Sequence, residues 1–205
     1  MVDTGGMTTF RPASGVIDAT IIERAPDRGR DFTSFVSDVE ASPRDHGRLH
    51  AIVRRPTPEH RERLEEVRLD ETEGVTGDSW ITRGSSRTTD GRANPDSQVT
   101  LMSVRVLAAI EPDESRWVLA GDQLLVDFDL SMASLPVGTP FTVGDAQLVV
   151  SEDPHTGCAK FSGRFGSDAL RWINSPLGRE LRLRGMNARV VRGGLVRIGD
   201  LIRSG

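Results

Sequence analysis

Along the chain the apolar residues fall in short runs broken by glycine, proline and charge, which predicts many brief strands and few helices. Val16, Ile17, Ile21 and Ile22 make residues 16–23 the first predicted ordered piece, ended by Pro26, and residues 1–13 read as a flexible tail. Residues 27–58 mix charge with scattered Phe32, Phe35, Val36 and Val39, which suits a short helix and loop. Strong helix formers fill 59–69 and predict a short, exposed helix. Glycine-punctuated 70–96 reads as loops, and the largely apolar 98–110 as a helix stopped by Pro112. Residues 117–120, 123–130 and 140–151 have strand composition, with Gly144-Asp145 as a hairpin turn. Phe165, Ala169, Leu170 and Ile173 give 161–174 a helical period. Strands at 188–192 and 195–198 then flank Gly193-Gly194, a second hairpin signal.

The expected architecture is therefore mainly β with a few helices. Composition agrees: 21 glycines, 11 prolines and no tyrosine describe a turn-rich chain, and 205 residues suit one domain with a substantial core. No apolar run approaches a membrane span and the start does not resemble a signal peptide, so the expected location is cytoplasmic, without a membrane partner. A single cysteine allows no internal disulfide and suits a reducing compartment.

Charge is uneven. From Cys158 onward there are ten basic residues against three acidic ones, although the whole chain carries −4. Such a segment attracts anions and favours a thiolate. Nucleic acid is not the expected partner, because the chain is acidic overall, poor in aromatics and without a reader motif.

The chemistry concentrates at the only thiol. Cys158 and the only lysine, Lys160, stand two positions apart, and the other basic residues are all arginine. A cation beside a thiol lowers its pKa and makes it a nucleophile or a metal ligand. The loop 153–160 lies between a β run and a helix, which places Cys158 near a helix start. Gly157 permits close approach of backbone to a ligand, and His155 is a candidate proton acceptor, ligand or orienting donor. In one regular strand 184–189, Asn187 and Arg189 share a face and Arg184 takes the other.

The run Pro154-His155-Thr156-Gly157-Cys158-Ala159-Lys160-Phe161, with Arg164-Phe165-Gly166, Asp168-Ala169-Leu170, Arg184-Gly185-Met186-Asn187-Ala188-Arg189 and the 194–200 segment, resembles the MOSC domain. That family is named for the C-terminal domain of molybdenum cofactor sulfurases. Residues 121–202 carry most of the resemblance, and Gly77-Asp78 resembles an earlier element of it.

The resemblance implies a MOSC-type β-barrel-like single domain over 14–205, with Cys158 binding metal or carrying sulfur. It implies molybdenum cofactor as the cofactor, held by Gly157, Arg184, Asn187 and Arg189, with Cys158, His155 and Lys160 as the catalytic group. Some relatives reduce N-hydroxylated compounds with molybdenum bound to this thiolate, and others transfer sulfur, so an oxidoreductase and a sulfur transferase both stand. The expected partner is accordingly an electron-donor protein or a sulfur donor such as a cysteine desulfurase. No pyridoxal phosphate site is expected, because the aminotransferase-like domain of the larger relatives is absent from this sequence. A third reading, a binding scaffold that has lost its chemistry, expects a buried and inert Cys158.

Overall fold

The computed structural model describes residues 29–205 and, by backbone alone, 16–18. The tail expected at 1–13 and the later part of the run at 16–23 lie outside the described residues. The strands are β1 (Val16–Asp18), β2 (Gly47–Arg54), β3 (His60–Leu64), β4 (Glu66–Asp70), β5 (Gly74–Val75), β6 (Val99–Ser103), β7 (Leu124–Asp127), β8 (Pro140–Val143), β9 (Ala146–Val150), β10 (Met186–Arg192), β11 (Gly194–Arg197) and β12 (Leu201–Ser204). The helices are α1 (Val36–Glu40), α2 (Trp80–Arg83), α3 (Val104–Ile110), α4 (Ala159–Phe165), α5 (Ser167–Ile173) and α6 (Pro176–Glu180).

Seven strands close a barrel in the order β2, β12, β8, β9, β10, β6, β7 and back to β2. All neighbours are antiparallel except β6 and β7. A parallel pair needs a long crossover, and here α3 and the 3-10 helix Glu114–Ala120 supply it. β3 and β1 extend from β2 as an arm, and β11, β4 and β5 form a separate small sheet.

Alternation along the strands separates two cores. Leu124 and Val126 of β7 face the barrel interior with Leu49, Ile52, Leu101, Phe141 and Leu148. Leu125 faces outward, where it joins Val53 and Met102 beneath a layer built from α3, the 3-10 helix, α4 and α5. The period of two thus serves both sides of the barrel wall.

Several expected elements are different in the structure. Residues 59–69 form β3 and β4 instead of a helix. Val67 and Leu69 alternate inward, while Glu62 lies opposite Arg54, and Glu66 opposite Arg197, in the ladders. Cross-strand ion pairs and burial override helix propensity there. The 27–58 segment does hold α1 but also β2, a strand of the barrel wall. Residues 98–110 split into β6 and α3 at Ser103, whose hydroxyl accepts from the Arg105 amide as an N-cap. All five residues of β6 are buried, so no alternation betrays it.

Residues 117–120 are 3-10 helix rather than strand, capped by the Asp113 carboxylate and ended by Gly121 at φ 85°. Gly166, at φ 93°, divides the helix expected at 161–174 into α4 and α5. The Gly144-Asp145 hairpin of β8 and β9 forms as expected. Gly193-Gly194 does not make a hairpin: β10 pairs with β9 and β6, and β11 pairs with β4. Gly194 is a corner at which the chain changes sheets, packed directly on the Asp145 backbone. Among the described residues no helix is long and apolar enough to cross a membrane.

These contacts separate two glycines. A Cβ at Gly194 strikes the Asp145 carbonyl, whereas one at Gly163, inside α4, meets nothing within 4 Å. In urea unfolding, Gly194→Ala is expected to lose about 2 kcal/mol or more, and Gly163→Ala to gain about 0.5–1 kcal/mol. Equal effects from the two variants would contradict the corner.

Candidate functional site

Leaving β9, residues 151–157 run over the barrel and enter α4 with Cys158 as N-cap in extended conformation. Two anchors hold this loop. Asn187 of β10 donates its amide to the Asp153 carbonyl at 2.9 Å. Asn174, at the end of α5, accepts from the Gly157 amide at 3.0 Å and donates back to its carbonyl at 3.3 Å. A Cβ on Gly157 would meet Ile173 and Leu170 side chains at 2.7 Å, so this glycine serves close packing on α5 and lines neither cleft described below.

Beneath the loop lies a buried charged group. Asp122 has no exposed side-chain surface and accepts from Arg184 Nη1 at 2.7 Å. Arg184 also donates to the Ala120 carbonyl at 3.1 Å and lies 5.0 Å over the Phe161 ring. His155 Nδ1 stands 3.3 Å from the other Asp122 oxygen, without hydrogen-bond alignment. Burial pushes the Asp122 carboxyl up, against the opposing pull of Arg184. Burial first, and then Arg184, Arg55 and Arg87, push His155 well below its ordinary 6.5, so it is neutral at pH 7.

Two clefts flank this wall and share Asp153, Pro154, His155, Thr156 and Asn187. The first, of about 370 Å³, is lined by Met132, Val137, Ile173 and Met186 with Arg182 and Arg184. The second, of about 480 Å³, is lined by Arg55, Arg83 and Arg87 with hydroxyls of Ser85, Ser86 and Thr100. Arg55 is held by Asp78, which accepts its Nε and Nη2 at 3.0 Å each and its backbone amide at 2.9 Å. Gly77-Asp78 thus bears on the cleft through Arg55. The loop 84–97 is tied to the wall through Asp153, which accepts from Arg87 at 2.7 Å and Asn94 at 3.2 Å.

The expected residues are only partly together. His155, Arg184 and Asn187 meet at the clefts, because Gly185 at φ 91° turns the chain between Arg184 and the start of β10, so 184–189 is not one regular strand. Arg189 is exposed and lines neither cleft. Cys158 is exposed and lies just beyond the wall. Lys160 directs its ammonium to Glu59 at 2.7 Å and is 68% exposed. That hydrogen bond holds the Glu59 carboxyl below its usual range.

Asp122, Arg55, Arg83 and Arg87 escaped the sequence reading, since each is distant in sequence from the thiol and carries no local motif. Gly77-Asp78 was the one signal that pointed toward Arg55. Five of the nine buried side-chain nitrogens and oxygens without partners in the described residues belong here: Asp122 Oδ1, Ser151 Oγ, His155 Nδ1, Arg184 Nε and Asn187 Oδ1. Each such atom costs about 1–3 kcal/mol, so their concentration marks a site shaped by more than folding.

The lowered His155 sets a pH dependence. A base with a depressed folded-state pKa binds fewer protons when folded, so its stability contribution is present above pH 6.5 and is lost as pH falls toward the folded value. From about pH 7.5 to about pH 5, wild type is expected to lose stability more steeply than His155→Gln, by up to about 1.4 kcal/mol per pH unit. Parallel denaturation profiles would contradict it.

No protein-family model and no curated protein matches the sequence. Solved structures do match. YuaD from Bacillus subtilis superposes with a TM-score of 0.53 at 16% identity, over 78% of this chain and 95% of that one. YiiM from Geobacillus stearothermophilus gives 0.53 at 14% identity, over 78% and 75%. A crystal structure titled only as a hypothetical protein gives 0.53 at 18%, over 78% and 68%. YuaD and YiiM are MOSC-domain proteins, and at these identities the likeness is one of fold: this chain has the MOSC-type β-barrel.

Proposed function

We propose that the protein binds molybdenum cofactor, or a related metal-sulfur centre, through the Cys158 thiolate. One observation carries the reading. The loop that walls both clefts runs on from Thr156 to an exposed thiol two residues later, at most about 7 Å along the chain. Arg83 and Arg87 with Ser85 and Ser86 suit the cofactor's phosphate, since guanidinium groups and hydroxyls pair with phosphate oxygens. Thiolate is a soft ligand that suits a soft metal centre.

When bound, such a cofactor supplies two-electron redox chemistry for reduction of N-hydroxylated compounds, an activity of some MOSC proteins. The chain's own residues would bind and orient. Arg184 and Asn187 shape the smaller cleft, and the 84–97 loop, tied down through Asp153, supplies Ser85, Ser86 and Arg87 to the larger one. His155 holds a proton acceptor or donor at the shared wall. Electrons would come from a donor protein, in the cytoplasm. Protein expressed in a cofactor-competent host should contain molybdenum and pterin, with molybdenum lost in Cys158→Ser and pterin retention reduced about tenfold in Arg83→Ala/Arg87→Ala. Absence of both from wild type and Cys158→Ser would sink the reading.

A second reading is favoured by the exposure of Cys158 outside both clefts, which suits contact with a partner protein. As a sulfur carrier, the thiolate attacks the outer sulfur of a desulfurase persulfide. That S–S bond breaks, the donor thiolate leaves, and Cys158 becomes the persulfide. Mass spectrometry after incubation with a desulfurase and cysteine should find one added sulfur atom on Cys158, removable by reductant; an unmodified thiol would count against it. The inert-scaffold reading required a buried thiol, and Cys158 is exposed.

A further inference from the structure

Asp122 presents one oxygen to Arg184 and the other to a histidine. Its Oδ2 takes the Arg184 bond at 2.7 Å, and its Oδ1 lies 3.3 Å from His155 Nδ1. Both Oδ1 and Nδ1 are buried and make no aligned hydrogen bond, the nearby Thr100 hydroxyl donating instead to Gln123 at 2.6 Å, while the His155 side chain as a whole remains 17% exposed. Among the described residues Nε2 has no hydrogen-bond partner and is not one of the buried unpartnered atoms, so it is the ring nitrogen open to solvent, and His155 borders both clefts.

We propose that Asp122 is a positioning residue for His155: it fixes the Nδ1-protonated tautomer and leaves a bare Nε2 as the proton acceptor of the two clefts. Arg184 is donor-only and permanently charged, and it is buried, so its partner is the carboxylate form of Asp122; a protonated Asp122 would leave a buried guanidinium uncompensated. An ionised Oδ1 only accepts. A bare Nδ1 opposite it would set two lone pairs against each other between two buried atoms, so Nδ1 carries the hydrogen, and a small rotation of the ring aligns the bond.

A neutral imidazole has one N–H, and with Nδ1 protonated Nε2 keeps its lone pair. The groups around the ring agree with neutrality: Arg184, Arg55 and Arg87 raise the cost of a second positive charge, with Asp122 as the buried counter-charge and Asp153 engaged by Arg87 and Asn94. When Nε2 takes a proton from a ligand, the new positive charge is shared with Asp122 through Nδ1–H, as in other carboxylate-oriented histidines. The inference concerns the cleft proposed above but not its occupant. A chain that binds no cofactor can still satisfy it, and one that binds cofactor can still fail it.

The test is the nitrogen-15 spectrum of the imidazoles in the full chain near neutral pH. The chain has four histidines, His46, His50, His60 and His155, and the signals missing from His155→Gln identify those of His155. Wild type is expected to show His155 protonated at Nδ1 and bare at Nε2. In Asp122→Asn, Arg184 claims the amide oxygen, so the amide NH₂ turns to His155 and forces the opposite tautomer, with loss of the dominant Nδ1–H signal. An Nε2–H tautomer or a doubly protonated ring in wild type would overturn the proposal, as would Nδ1–H persisting in a folded Asp122→Asn. If Asp122→Asn does not fold, the wild-type spectrum decides by itself.

Discussion

The buried pair of Asp122 and Arg184 is the constraint on which the site depends. Two full charges have left water, which is tolerable only because they meet at 2.7 Å and Arg184 is further satisfied by the Ala120 carbonyl and the Phe161 ring. The contact joins three parts of the fold. Asp122 follows the 3-10 helix, Arg184 precedes β10, and Phe161 belongs to α4, the helix that Cys158 begins. The start of α4 is thus tied to the barrel wall through this ion pair, beside the Asn174 and Asn187 anchors of the thiol loop, and unpaired polar atoms gather around it.

The arrangement of charge differs from what the linear sequence suggests. Several cations of the basic C-terminal segment are engaged in structure: Arg164 on the Leu119 carbonyl and Glu59, Arg182 on the carbonyls of Leu130 and Leu135, and Arg197 on Glu66. The larger cleft instead draws Arg55, Arg83 and Arg87 from the acidic N-terminal part. An arginine neutralised by a carboxylate contributes less field to a ligand, and here too Arg55 meets Asp78 and Arg87 meets Asp153, which leaves Arg83 as the cleft arginine without a carboxylate partner among the described residues. Lys160 illustrates the point, since Glu59 meets its charge although it lies two residues from the thiol.

Much of the β character was legible. The Gly144-Asp145 hairpin, the breaks at prolines and the helical stretch after the thiol follow from turn chemistry and local period. The failures share a cause. β4 alternates Val67 and Leu69 between charged residues that are also helix formers, and only the facing strand β11 decides between the two states. β6 is buried throughout and carries no period, so its length and partners alone distinguish it from a helix. Gly193-Gly194 has hairpin chemistry, yet β9 and β4 compete for its two strands and take them.

For the site, the sequence by itself determined the chemistry on offer: one thiol, a histidine three residues before it, and a loop leading into a helix. Asn187 and Arg184 were also legible as candidates, through resemblance. Which of these residues share a cleft was decided only by tertiary structure, because that depends on a positive φ at Gly185, on Asn174 clamping Gly157, and on Asp122 arriving from another part of the chain. Local sequence fixes what a side chain can do. Long-range pairing of buried charge, whose cost disappears only when both partners are in place, selects which side chains do it together.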